Sequence, residues 1–169
     1  MVLGGEIKMN IRNAATEDIN QLLEIYSYAK RVQCETGNPN QWLNGYPKRE
    51  LIEEDILNNI CYVIEEDKNI VGVFVFIVGE DPTYKVITCG KWINDKPYGT
   101  IHRIASSGEK KGIFDECVKW CFKKCGNLRI DTHEDNKIMQ NILCKNGFEY
   151  CGQITVEDGS PRRAYQKIK

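Results

Sequence analysis

Apolar positions change their spacing along the first third of the chain. They alternate with polar residues over residues 7–11, which is typical of a half-buried strand. Over residues 16–37 they recur at helical spacing, and Gly37 followed by Asn38-Pro39 predicts the end of that helix. The same spacing returns over residues 48–58. The sequence therefore predicts a strand followed by two helices.

The middle of the chain has a β-strand pattern. Residues 60–64 and 70–78 are rich in β-branched and aromatic residues, and a polar turn separates them, which predicts an antiparallel hairpin. Residues 84–92 are predicted to form a further extended piece, and residues 100–105 another strand. The connection between 81 and 97 is longer than a hairpin turn, which indicates an insertion.

The last third alternates between helix and strand. A helix is predicted over 112–125, a strand over 128–133 and a second helix over 136–146, before a hairpin of strands over 148–156 and 162–168. A strand-helix-strand crossover implies a parallel pair, whereas the early hairpin implies antiparallel pairing. The predicted fold class is therefore α/β with a mixed sheet (α+β) and about four helices.

Composition limits the class of protein. With 169 residues, 41% apolar and 28% charged, the chain is predicted to form one globular domain over residues 1–169. A net charge of −1 argues against a nucleic-acid partner. The longest apolar run, 70–78, is far shorter than the roughly 20 residues that span a bilayer, so no membrane partner is expected. Without a recognisable export leader, a cytoplasmic location is predicted.

Eight cysteines allow two interpretations. In a cytoplasmic protein they are expected to be reduced thiols. Cys117, Cys121 and Cys125 recur every four residues and share one helical face, so they could hold a metal or pack as small apolar side chains. Because no His and no Cys-x-x-Cys pair is near, packing is favoured and no metal is predicted.

The most specific pattern is the block from Leu128 to Phe148, LRIDTHEDNKIMQNILCKNGF. An apolar strand leads to an acidic turn, an Asn opens an amphipathic helix, and Gly147-Phe148 begins the next strand. This order resembles the second signature block of the GNAT acyltransferase superfamily. The resemblance implies a splayed pair of parallel strands, acetyl-coenzyme A as co-substrate, and N-acetyltransferase activity.

The resemblance also implies where acetyl-coenzyme A binds. The loop over residues 100–114 lies where GNAT proteins hold the pyrophosphate on backbone N–H groups, and a helix N-terminus favours an anion on general grounds. The preceding strand pairs with the pantetheine arm as if the arm were another strand. The implied cofactor residues are Arg103, Ile104 and Ala105 on the strand and Lys110, Lys111, Gly112 and Ile113 in the loop.

Two loop positions depart from the family pattern. Glu109 lies near the position of a family Arg, and Phe114 near the position of a family Gly. The adjacent lysines could supply positive charge instead, as flexible point charges. Taken alone, the loop could equally be a solvated turn that precedes a helix.

Three residues of the block share one face of the predicted helix. Asn136 is implied to contact the cofactor, and it could equally cap its own helix. Met139 and Leu143 are predicted to line the same wall. Many GNAT enzymes carry at the position of Leu143 a Tyr that protonates the departing thiolate. In this chain, another residue protonates the thiolate, water protonates it, or the protein does not catalyse the reaction.

The chain has two histidines, His102 and His133, both near the ends of the predicted parallel strands. An imidazole titrates near neutral pH and suits a general base for amine acetylation. Each is therefore a candidate catalytic residue, and each could instead be a structural, hydrogen-bonded histidine. Asp131 shares a strand face with His133 and is predicted to be a neighbouring surface group.

The acceptor pocket is predicted between the first two helices. Trp42 and Tyr46 could form an aromatic wall that binds a cation, or they could anchor their loop to the core. Glu80 could attract an ammonium group. The predicted function is transfer of an acetyl group to a primary amine of a small molecule or peptide. The alternative is a GNAT-fold module that senses acyl-coenzyme A without turnover. GNAT relatives also suggest a homodimer through the last strands.

Overall fold

A computed structural model describes residues 8–169 and shows one mixed β-sheet with four α-helices. Residue 7 of the predicted first strand lies outside the described residues. The helices are α1 Ile19–Glu35, α2 Arg49–Leu57, α3 Ile113–Lys124 and α4 Lys137–Lys145. The strands are β1 Asn10–Asn13, β2 Cys61–Glu66, β3 Asn69–Val78, β4 Gly99–Ser106, β5 Asn127–Thr132, β6 Glu149–Thr155 and β7 Pro161–Ile168.

The seven strands follow the order β1-β2-β3-β4-β5-β7-β6. Neighbouring strands are antiparallel except β4 and β5, which are parallel and joined through α3. The predicted mixed α/β fold is therefore confirmed. Within residues 8–169, no helix combines the length and apolar character that a membrane crossing requires.

The parallel strands β4 and β5 separate soon after they meet. They pair only at Gly99 with Leu128 and at Thr100 with Arg129, although both strands continue beyond those residues. β4 stays paired to β3, and β5 stays paired to β7. The predicted splayed pair is therefore present, and it leaves a gap in the sheet.

Different layers cover the two faces of the sheet. On one face, α3 and α4 pack against the largest apolar cluster, which includes Phe74, Ile101, Ile130 and Tyr165. On the other face, α1 and α2 cover β2 and β3. Next to them, the inserted segment (residues 81–98) packs on β6 and β7 through Tyr84, Trp92 and Tyr98. The gap lies where α1, α2 and the inserted segment meet.

The prediction of an extended piece over residues 84–92 is wrong. The inserted segment begins with a short 3-10 helix, Pro82–Tyr84, and makes one isolated bridge, between Thr88 and Gln153. The Asp81 carboxylate accepts a hydrogen bond from the Thr83 N–H at 2.9 Å and so starts the turn. Tyr84 and Trp92 pack as buried anchors, whereas Val86 between them is largely exposed, so the segment does not alternate as a strand does.

Candidate active site

A β-bulge in β4 shapes the wall of the gap. The register between β3 and β4 shifts between Val73 and Val75, and Arg103 has a φ of 49°. Such bulges redirect side chains and are frequent next to active sites. Here His102 and Arg103, although adjacent, both contact groups from the layer that α2 and the inserted segment form. Two charged or titratable side chains are thus brought to one face.

Two cavities follow the gap and adjoin each other. The larger has a volume of about 750 Å³ and contains His102, Asp131 and Trp42 in its wall. The smaller, about 360 Å³, lies at the N-terminus of α3. Ile104 and Met139 line both cavities. The two cavities therefore form one continuous path along the gap, from the start of α3 to the residues where β4 and β5 separate.

The smaller cavity has features that suit an anion. Gly112 precedes α3 with a φ of 81°, and within the described part of the chain no side chain caps the helix, so its first N–H groups remain available. Lys110 and Lys145 line this cavity, although Lys110 also forms an ion pair with Glu66 at 2.6 Å. The predicted residues Ala105, Gly112 and Ile113 line it too. Lys111 is exposed and lies outside both cavities.

Asn136 caps α4 and also fastens a loop. Its Oδ1 accepts from the Met139 N–H at 3.1 Å, and its Nδ2 donates to Gln41 Oε1 at 2.9 Å. Gln41 Oε1 also accepts from Asn38 and Thr132. Asn136 lines the larger cavity with both of its polar groups engaged, so the capping role is present in the structure. Gln41 ties the α1–α2 connection to the end of β5.

Leu143 does not line the gap. Its side chain is 0% exposed and belongs to the apolar cluster under α3 and α4, so the prediction that it forms the cofactor wall is corrected. The apolar face of α4 is wide enough for some of its residues to line the gap and others to pack in the core. Met139 reaches the gap, while Leu143, one helical turn later, packs against the sheet.

His102 forms a hydrogen-bonded pair with an acid from the inserted segment. Its Nε2 lies 2.8 Å from Asp81 Oδ2, and both side chains are mostly buried. Burial raises the pKa of Asp81, but the hydrogen bonds from His102 and Thr83 outweigh that effect and lower its pKa to about 2. Asp81 is therefore ionised at neutral pH and fixes the imidazole in the cavity wall.

Asp131 lies in the wall of the same cavity, so the prediction that it is a surface group beside His133 is wrong. The Tyr84 hydroxyl donates to Asp131 Oδ1 at 2.6 Å. Burial raises the pKa of Asp131, against the opposing effect of that hydrogen bond. Burial, and then the charge of Asp131, raise the pKa of Tyr84 well above its usual value. Tyr84 is therefore a neutral donor.

Arg103 is held by an acid from α2. Its guanidinium donates to both oxygens of Asp55, at 3.0 and 2.8 Å, and to the Tyr46 hydroxyl at 3.1 Å. Its carbonyl accepts from Tyr26 at 2.8 Å. Asp55 is buried, and burial raises its pKa despite the opposing charge of Arg103. The Arg103 side chain and carbonyl are thus engaged within the protein, which leaves its backbone N–H for a cofactor.

The structure separates the remaining predicted residues into two groups. Trp42 and Tyr46 line the larger cavity, with ring centroids 6.3 Å apart. His133 lies outside both cavities, and its Nδ1 accepts from the Asp135 N–H at 3.1 Å, which is a local structural role. Glu80 is exposed and lies 4.0 Å from Lys85, whereas its neighbour Asp81 is the acid that reaches the site.

Sequence reasoning missed the partners that hold the site together. Nothing in the sequence pairs Asp81 with His102, Tyr84 with Asp131, or Asp55 with Arg103. Only Asp81 carried a local signal, because an Asp before Pro often begins a turn. Among residues 8–169, no group of three or more His, Cys, Asp or Glu side chains is arranged to hold a metal ion.

Several solved structures with a similar fold are named acetyltransferases. A GNAT-family acetyltransferase from Streptococcus agalactiae 2603 is 36% identical, with a TM-score of 0.87 over 95% of each chain. One from Listeria monocytogenes 4b F2365 is 20% identical, with a TM-score of 0.70 over 96% of each chain. An N-acetyltransferase from Staphylococcus aureus Mu50 is 19% identical, with a TM-score of 0.61 over 96% of this chain and 99% of that one. No protein-family model and no curated protein sequence matches the chain.

Proposed function

The chain belongs to the GNAT family of acetyltransferases and is an acyltransferase, and we propose that it transfers an acetyl group from acetyl-coenzyme A to a primary amine by direct attack. The observation that carries this proposal is the continuous gap between β4 and β5. It joins an uncapped helix N-terminus to a cavity whose wall includes His102, which is hydrogen-bonded to Asp81. Such a gap admits a long ligand with an anionic end and a reactive end.

The residues of the gap fit acetyl-coenzyme A along its length. The free N–H groups at the start of α3, with Lys110 and Lys145, would hold the phosphates. Among residues 8–169, the edge of β4 from Ile101 onward has no partner strand on the β5 side, so its backbone groups would pair with the amide-rich arm. Met139 and Ile104 would contact the arm where the two cavities join. When bound, the coenzyme supplies the acetyl group as a thioester.

His102 would act as the general base. It would take a proton from the ammonium form of the acceptor, and Asp81 would stabilise the resulting imidazolium. The free amine nitrogen would then form the C–N bond as the C–S bond breaks, the sulfur would leave as a thiolate, and the nitrogen would release its second proton to solvent to give the neutral amide. A backbone N–H near Ile104 or Ala105 would stabilise the negative charge on the carbonyl oxygen. Because Leu143 carries no proton, solvent would protonate the thiolate.

A matched pair of substitutions at Gly112 tests the cofactor site. Asp and Asn have nearly the same shape, and both tolerate the left-handed backbone that Gly112 adopts. A Cβ added there meets open space. Gly112→Asp places a negative charge on the phosphates and should weaken coenzyme A binding about tenfold relative to Gly112→Asn, which equals about 1.4 kcal/mol. Isothermal titration with coenzyme A measures the difference.

If the two Gly112 variants bind coenzyme A with equal affinity, the phosphates do not bind at the start of α3. Turnover is tested separately, by release of free thiol from acetyl-coenzyme A in the presence of a panel of primary amines. If the protein binds coenzyme A tightly and no amine accelerates thiol release, the transfer reaction is refuted. A non-catalytic acyl-coenzyme A sensor then becomes the better description.

A further inference from the structure

The acids that line the larger cavity are Asp131, which is partly buried, and four exposed residues, Glu50, Glu54, Glu157 and Asp158. Two buried or mostly buried acids beside the cavity have a basic partner. Asp55 binds the Arg103 guanidinium, and Asp81 binds the His102 imidazole. Asp131 has a neutral donor instead, the Tyr84 hydroxyl, on one oxygen only. Among residues 8–169 its other oxygen, Oδ2, makes no hydrogen bond. Among the described residues, Asp131 is therefore the one acid of the cavity wall that is partly buried and has no cation.

Arg162 is the cation that could have paired with Asp131, since it lines the same cavity. Its guanidinium is used elsewhere. Nη1 donates to Ser160 Oγ at 2.8 Å and to the Pro161 carbonyl at 3.1 Å, and Nη2 donates to the Gln41 carbonyl at 3.0 Å. These bonds hold the β6–β7 turn against the α1–α2 connection, and they leave Asp131 open to the cavity.

Asp131 is partly buried, and shielding a carboxylate from water without a cation is unfavourable unless another contact compensates. The Tyr84 hydroxyl supplies part of this compensating contact, and Tyr84 is itself held in place by its neighbours. The residue is 1% exposed, its carbonyl accepts from Trp92 Nε1 at 2.9 Å, and its ring centroid lies 5.3 Å from that of Trp92. The inserted segment thus makes two hydrogen bonds at the cavity: its Asp81 bonds to His102, and its Tyr84 bonds to Asp131.

We propose that Asp131 is the binding site for the cationic nitrogen of the acceptor, and that Tyr84 is the positioning residue that aims Asp131 at the gap. The acceptor class is therefore an alkylamine that is an ammonium ion at neutral pH. This inference rests on the proposed acetyl transfer. The ammonium group lies on Asp131, gives its proton to His102 in the same cavity, and attacks the thioester as the free amine.

The test uses n-butylammonium as the probe and coenzyme A-loaded protein. Binding is followed by the carboxyl ¹³C signal of Asp131 in the full-length chain, and by chemical-shift changes around the cavity. Wild type should saturate with n-butylammonium, and Asp131→Asn, which keeps the shape and loses the charge, should bind it at least about 30-fold more weakly. Asp95→Asn, at an exposed acid of the inserted segment, is the matched control and should bind it as wild type does.

Tyr84→Phe separates positioning from structural support, because it removes only the hydroxyl. That hydroxyl lowers the pKa of Asp131, so its loss should raise that pKa. The acidic limb of binding, which is the pH range in which n-butylammonium affinity falls as Asp131 is protonated, should then move to higher pH. The other ionisable groups that act on Asp131 are His102, Asp81 and Arg162, and the variant leaves them in place. Tyr150→Phe, at an exposed tyrosine, should not move the limb.

The ammonium site is refuted if Asp131→Asn binds n-butylammonium as tightly as wild type does. It is also refuted if wild type does not bind n-butylammonium. An unmoved acidic limb in Tyr84→Phe overturns the positioning role. These binding results do not depend on turnover. If n-butylammonium binds to Asp131 and no amine releases thiol, the acetyl-transfer proposal fails and the ammonium site stands.

Discussion

The two ends of the gap are built in different ways. At the α3 end, the groups that face the smaller cavity are backbone N–H groups and residues close together in sequence, from Ile104 to Asp115, with α4 opposite. At the other end, each important side chain is held by a partner far along the chain. Asp81 lies 21 residues from His102, Tyr84 lies 47 from Asp131, and Asp55 lies 48 from Arg103.

The two ends of the gap therefore have different requirements for specific side chains. A helix N-terminus and an unpaired strand edge bind any ligand with phosphates and amides, so that end needs few specific side chains. The acceptor end must place charged and titratable groups in a partly dry cavity, and each of these needs a partner to offset its lost hydration. The inserted segment and α2 provide those partners, so substitutions there should have large and specific effects.

The largest effect is expected from Arg103→Leu, which leaves the Asp55 carboxylate buried without a cation. Removing one partner of a buried ion pair typically costs about 3 to 5 kcal/mol of the free energy of unfolding. Urea denaturation measures it. The double variant Asp55→Leu with Arg103→Leu should recover most of the loss, because no charge then remains buried. A double variant as unstable as the single one would show that the pairing is not the cause.

Next in size is His102→Gln, which keeps a polar side chain at the wall and removes the base. The rate of acceptor-dependent thiol release should fall about 100-fold, the usual contribution of general base catalysis. Coenzyme A affinity should be unchanged. His133→Gln is the discriminating control, because His133 lies outside both cavities and its substitution should leave the rate near wild type. A larger loss from His133→Gln would reverse the assignment.

The smallest of the three effects depends on pH. The pKa of Asp81 falls from its usual 3.8 to about 2 in the folded protein, so its ionised form stabilises the fold above about pH 4. Wild type should exceed Asp81→Asn by about 2 kcal/mol at neutral pH, and the difference should vanish as pH falls from about 4 to 2. Urea titrations across that range measure it, with Asp95→Asn as the control for losing one charge. A difference that is independent of pH would mean that packing, not ionisation, accounts for the effect.

The elements that repeat a local pattern were predictable. The hairpin of β2 and β3, the crossover through α3, and Asn136 at the start of α4 follow from periodicity and capping within a few residues. The inserted segment was not predictable, because Tyr84 and Trp92 look like strand residues until the sheet offers them a surface. Leu143 was misplaced for a related reason. Helical periodicity gives a face, and only packing decides which part of that face meets the core.

By itself the sequence determined the mixed sheet, its parallel pair, and the block from Leu128 to Phe148 that indicates the family, because local spacing fixes secondary structure and chain order limits topology. The tertiary structure alone decided which acids meet which bases. Those pairs join residues that are distant in the chain, and their energies depend on burial and hydrogen-bond geometry, which exist only after the layers have packed together.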